Sequence, residues 1–145
     1  MHIVRKINEA AWQIFVEENV NGNIFHTPEM MRVFAEAKGF EPSIWAGLDE
    51  NEQIQAMFLP VQNTVLDHSF FRSLTTRAIL YGSLLCTPTA QGNDALDLLL
   101  DAYNRKMKNR ILFTELRNLS DIGEDAQRVP SLPTTLWQAP SWGRI

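Results

Sequence analysis

The chain has 145 residues, 45% of them hydrophobic and 21% charged, with a formal net charge of −4. That length can bury one sizeable core, and the acidic balance excludes strong non-specific nucleic-acid binding, which draws most of its energy from lysine and arginine meeting phosphates. A single cysteine, Cys86, forms no internal disulfide, and no apolar run approaches the ~20 residues that span a bilayer, so a cytoplasmic protein without a membrane span is expected.

The opening "HIVRKI" alternates apolar and polar positions and predicts a short strand. Asn8 is placed to cap a helix over about residues 9–18, with Trp12, Phe15 and Val16 inward and Ile7 spaced from Trp12 as a hydrophobic staple. "NVNGN" ends it with turn residues. The next helix starts at "FHTPEM", where the Thr27 hydroxyl suits the N-cap and Pro28 suits N1; Gly39 is the expected C′ stop. Met30, Val33, Phe34 and Ala37 form its apolar stripe.

After Pro42, "SIWAGL" and "QIQAMFLPV" flank "DENE", which predicts a β-hairpin. Pro60 inside the second run predicts a sheet edge or a bulge there. "SLTTRAILYGSLLC" reads as a strand that kinks at Gly82. An amphipathic helix over about 94–109 follows, burying Leu96, Leu99, Leu100, Tyr103 and Met107. Its aspartates (94, 97, 101) sit toward the start and Arg105, Lys106 and Lys108 toward the end, in the sense that complements the helix dipole. "ILFTELRNL" returns as a strand, so the predicted order is β-α-α-β-β-β-α-β.

The last stretch, "RVPSLPTTLWQAPSWGRI", carries three prolines and no periodic pattern. The expected division is therefore a domain over 1–122 and an irregular tail over 123–145, either frameshifted or truncated, or else a Pro-rich arm that packs over the core.

Three segments, "NGNIFHTPEM", "RAILYGSLL" and "FTELRNLSD", occur in that order, separated by a hairpin and a helix. They resemble the N-terminal lobe of FemAB-like acyl- and aminoacyltransferases, the family that builds peptidoglycan interpeptide bridges on tandem GNAT-like lobes. The resemblance implies an α/β (α+β) GNAT-like fold, a mixed and mostly antiparallel sheet flanked by helices, incomplete because the second lobe is missing. It implies an amine-bearing acceptor, a peptide or cell-envelope precursor, and no turnover by the isolated lobe. It places Phe25, His26, Thr27, Arg77, Tyr81 and Gly82 near the acceptor groove, and Arg117 joins them from the third motif. Where the family often has two glycines, this chain has Gly82 and Ser83; Met30 and Met31 stand where relatives carry an aromatic residue. Other readings are a non-catalytic module that dimerises through the uncovered lobe face, and a small acetyl-CoA-dependent N-acetyltransferase.

Read residue by residue, these positions keep alternatives. His26 suits a general base near neutrality, or packs its ring beside the helix start. Arg77, in an apolar strand, snorkels at an edge, pairs with Glu115, or faces an anionic ligand. Glu115 and Arg117 alternate on one strand face, as an ion pair or as reacting groups. The three histidines and Cys86 lack metal-ligand spacing, so no metal is expected. Neither a phosphate-binding loop nor the Arg/Gln-x-x-Gly-x-Gly/Ala signature of acetyl-CoA enzymes occurs, so no cofactor is expected.

Overall fold

Local chemistry sets the helix starts. In the computed structural model, which describes residues 1–64 and 75–117, Asn8 accepts the Ala11 N–H at 3.1 Å and opens α1 (Glu9–Glu18). A 3-10 turn at Ile24–His26 leads into α2 (Pro28–Glu36), which starts on Thr27 as its cap with Pro28 in the first turn. Helix α3 (Ala90–Met107) begins one turn earlier than its apolar stripe predicts, because Thr89 caps it by accepting the Gly92 N–H at 3.0 Å. Its expected stripe, Leu96, Leu99, Leu100, Tyr103 and Met107, is buried as a set.

Between the helices, each of the three central strand runs bends and serves two sheets. β2 (Phe40–Pro42) and β3 (Trp45–Leu48) form one run, β4 (Ile54–Phe58) and β5 (Pro60–Thr64) the second, β6 (Thr76–Leu80) and β7 (Leu85–Cys86) the third. With β1 (His2–Val4) and β8 (Thr114–Leu116), the sheet orders are β1-β3-β4-β7 and β2-β5-β6-β8. Every pairing is antiparallel except β6 with β8. Pro60 lies where the second run changes sheets, at the start of β5; lacking an N–H, it offers its carbonyl to Ser43 N at 3.0 Å. The short β2 is not predicted from "FEP", whose glutamate and proline disfavour strand. Gly39 has φ +84°, a left-handed turn that returns the chain from α2 into β2. It stands two residues past the Ala37 C-cap and not at the expected C′ position.

Alternation along the strands puts a core on each face. Trp45, Phe58, Leu80 and Leu116 pack under α3, while Ala46, Met57, Val61 and Leu85 pack toward α1. Helix α2 departs from its predicted stripe. Val33 is 57% exposed, and Pro28, Met31 and Phe34 carry the inward contacts, because α2 rests on β2 and the neighbouring sheet at an angle that periodicity alone does not set. The expected tail over 123–145 lies outside the described residues. No described helix is long and apolar enough to cross a membrane.

The β3–β4 turn is organised by a carboxylate. Asp49 accepts the Asn51 and Gln53 N–H groups at 2.8 and 2.9 Å and the Gln55 side-chain amide at 2.9 Å. These bonds, led by that from Gln53, hold its pKa below the ordinary aspartate value. A depressed carboxylate contributes stability that is complete above its unfolded pKa and is lost as pH falls through the folded one. Asp49→Asn is expected to melt below the parent at neutral pH, with the two melting temperatures converging toward about pH 3. Thermal melts across that range check this; a gap that does not change with pH would contradict it.

Candidate functional site

The parallel ladder of β6 with β8 runs through Ala78–Thr114, Ile79–Glu115 and Leu80–Leu116, and Arg117 N then donates to Leu80 O at 2.8 Å. Past Leu80 the ladder loses β6. β6 leaves its sheet through Tyr81, Gly82, Ser83 and Leu84 and rejoins the other as β7. The antiparallel register jumps from Pro60–Leu80 to Met57–Leu85, so four residues on this run stand against Phe58 and Leu59 on the other. The result is a kink where the run passes from one sheet to the other.

His26 holds this kink. Its ring is 1% exposed, and a Cβ built on Gly82 would lie 2.4 Å from its Nε2, so only glycine lets the ring approach. Asn23 N donates to Nδ1 at 3.2 Å within a capping box, which makes Nδ1 the acceptor and leaves the proton on Nε2. Nε2–H then donates to Ser83 O at 2.7 Å, and the His26 carbonyl accepts the Trp12 indole N–H at 2.6 Å. Burial lowers the imidazole pKa; the bond to Ser83 O pulls it up without cancelling that effect. Both ring nitrogens are engaged and the ring is neutral. This is a positioning role, with no lone pair left for proton transfer.

The pH consequence has a definite sign. An unfolded imidazole near 6.5 takes up a proton before the folded one does, so stability falls as pH drops below the unfolded value and levels off beneath the lowered folded value. Denaturant midpoints from pH 8 to 5 are expected to decline over this window, and His26→Gln is expected to flatten the decline. An equal decline in parent and variant would contradict the assignment.

Of the residues singled out from sequence, the structure gathers Phe25, His26, Tyr81, Gly82 and Arg117. Phe25 and Phe34 stack on the Tyr81 ring at centroid distances of 5.9 and 4.9 Å, and the Arg117 guanidinium lies 5.4 Å from the Tyr81 centroid. Arg117 is bidentate on Glu115, at 2.8 and 3.3 Å, which raises its pKa and holds it charged. The Glu115 carboxylate is therefore bound to Arg117, and no Arg77–Glu115 pair forms among the described interactions. Arg77 is not at the kink: it stands opposite Asn63, four residues before Tyr81, roughly 13 Å along an extended strand. Its Nε is buried without a hydrogen-bond partner among the described residues. Thr27 accepts Met30 N and donates to Ile24 O, so helix initiation uses its hydroxyl fully. Ser83, 7% exposed, turns its side chain into the protein and does not line an open surface.

Sequence reasoning missed Asn23, Trp12 and Phe34 as parts of this site. The Asn-x-x-His spacing of a capping box is a usable signal for Asn23. Nothing local announces the other two.

No protein-family profile matches the sequence, and no curated protein matches it. A solved structure described as the crystal structure of a probable acetyltransferase superposes with a TM-score of 0.58, at 18% identity, covering 99% of this chain and 100% of that chain. The fold is of the GNAT type. A thioester donor bearing a diphosphate, which that fold class implies at the start of α3, does not fit the residues there. Thr89 already takes the Gly92 N–H, a Cβ on Gly92 would lie 2.2 Å from Thr87 O, and Pro88 has no N–H to offer. The nearest charge on the helix is Asp94, which repels an anion.

Proposed function

We propose that this chain is an acyl-handling domain of the FemAB-like type, serving transfer of an acyl or aminoacyl group to an amine where β6 turns away from β8. The observation that supports the reading is β6 leaving β8 after Leu80, whose carbonyl accepts Arg117 N, as the chain kinks through Tyr81–Leu84. A strand end whose partner has turned away suits an extended, amide-bearing donor, which lies beside it as an added strand. The description of the similar structure as a probable acetyltransferase agrees with acyl transfer in general.

In such a reaction the amine nitrogen attacks the acyl carbonyl, the new C–N bond forms, and the nitrogen loses a proton. The bond to the alcohol or thiol leaving group breaks, and that group takes up a proton. The Arg117 guanidinium is the positive charge beside the kink for the developing oxyanion. No free base stands at the kink among the described residues: His26 is doubly engaged and Glu115 is held by Arg117. This part of the chain binds and orients, and slow or no turnover is expected of it alone.

The test is calorimetric. Acetyl-pantetheine, an amide-bearing thioester without a diphosphate, is expected to bind, and Arg117→Ala to weaken it by about fivefold to tenfold. Acetyl-CoA is expected to bind no more tightly. Acetyl-CoA binding more than about tenfold tighter would favour the small acetyltransferase reading. No heat from either thioester would sink the proposal.

A further inference from the structure

Arg77 carries a charge that the described fold leaves unpaired. Its guanidinium stays protonated and brings five N–H donors and no acceptor. The Nε atom is buried, yet it has no hydrogen-bond partner among the described residues, and Arg77 enters none of their ion pairs. Asn63 stands directly opposite on β5 and is half-buried. Residues paired in this way have Cβ atoms about 5 Å apart, so one ligand can reach both.

The surroundings on that face are apolar. The next row along the two strands is Val61 with Ile79, both buried. Beyond Asn63 is Phe40 of the edge strand β2, whose ring stacks on Phe34 at 6.3 Å. Glu115, opposite Ile79 on β8, is on the same face, but Arg117 holds its carboxylate through two bonds. A desolvated charge without a counter-charge opposes folding, and such a group is kept where function requires it.

Charge and shape decide what completes it. One guanidinium beside one carboxamide supplies a single positive charge and a planar fork, which match the two oxygens of a carboxylate. A phosphate dianion would bring a second charge that neither residue balances. Phe40 and the Val61–Ile79 row suit a short aliphatic stem.

We infer that Arg77 and Asn63 form a binding site for the carboxylate of a small organic acid, with Arg77 pairing both oxygens and Asn63 donating a further N–H. The inference does not depend on the acyl-transfer reading, because Arg77 stands roughly 13 Å along the strand from Tyr81.

Two measurements on the full chain test it. In nuclear magnetic resonance titrations, sodium propionate is expected to bind with a Kd of about 10 mM and to move the signals of the Asn63 side-chain amide and the Arg77 Nε–H. Propionamide, of the same shape without the charge, is expected to bind at least about tenfold more weakly. Asn63→Ala is expected to weaken propionate by about threefold, and Arg77→Met to abolish the Asn63 shift. In thermal melts at matched ionic strength, Arg77→Met is expected to melt about 3 °C above the parent, because an apolar stem fills the same space without a buried charge. About 100 mM propionate is expected to raise the parent by a similar amount and to leave the variant unchanged. Equal response to propionate and propionamide, tighter binding of inorganic phosphate, or no shifts at about 100 mM propionate would each overturn the inference. So would an Arg77→Met variant that melts below the parent, since Arg77 would then serve the fold and not a ligand.

Discussion

Gly82→Ala is expected to be among the most damaging single-methyl additions in the chain. The new Cβ would meet the His26 ring at 2.4 Å from Nε2 and 2.5 Å from Cε1. The ring cannot retreat, because Asn23 N, Ser83 O and the Trp12 indole hold its two nitrogens and its carbonyl. Relief requires breaking the Nε2–H bond to Ser83 or moving the start of α2, and overpacking of this kind costs about 3 kcal/mol. In a chain of this size that is a fall in melting temperature of roughly 10 °C. The control is a double-mutant cycle. With His26→Ala the clash has no second party, so Gly82→Ala in that background is expected to cost less than about 1 kcal/mol. Additive losses would mean that the two residues do not meet.

Phe58→Ala should be the other severe change. Phe58 is 1% exposed and stands where the second strand run crosses between sheets, opposite the kink. Its ring lies parallel to Trp45 at 6.4 Å and edge-on to Tyr103 at 5.2 Å. Truncation leaves a cavity under α3 and a loss of about 3–5 kcal/mol. Phe58→Leu keeps most of the volume and should lose far less. Urea unfolding separates the two, and a loss below about 1 kcal/mol for the alanine variant would show that the crossing does not depend on this cluster. Tyr103 is held as a neutral phenol in the same cluster: burial raises its pKa to about 12 against the hydrogen bond with Thr114, so it offers no acid–base chemistry near neutrality.

What the sequence made legible was local. Asn8 and Thr27-Pro28 announce helix starts because capping is a matter of two or three neighbouring residues. Gly82 announces a break because glycine in an apolar strand run lacks other purpose. Glu115 and Arg117, alternate residues on one strand, met as a pair. The bend of each strand run into two sheets was not legible, because it is set by which strand lies alongside. The face that α2 buries was misjudged at Val33 for a similar reason: periodicity finds a stripe and not its angle to the sheet. The contact that defines the site, His26 with Ser83, joins residues 57 apart in the chain, and no local pattern encodes that separation. Sequence reading named Phe25, His26, Tyr81 and Gly82, which the structure brings together, and left His26 with two roles. Its two hydrogen bonds resolve them.

A neutral His26 imidazole fastens the kink at Gly82 and Ser83. Nitrogen chemical shifts of the His26 ring at neutral pH, with exchange of its ring proton, test that most directly. The expected result is the Nε2–H tautomer with a protected proton, unchanged on titration until well below the ordinary imidazole value. An Nδ1–H tautomer, or a freely exchanging ring that titrates near 6.5, would contradict it.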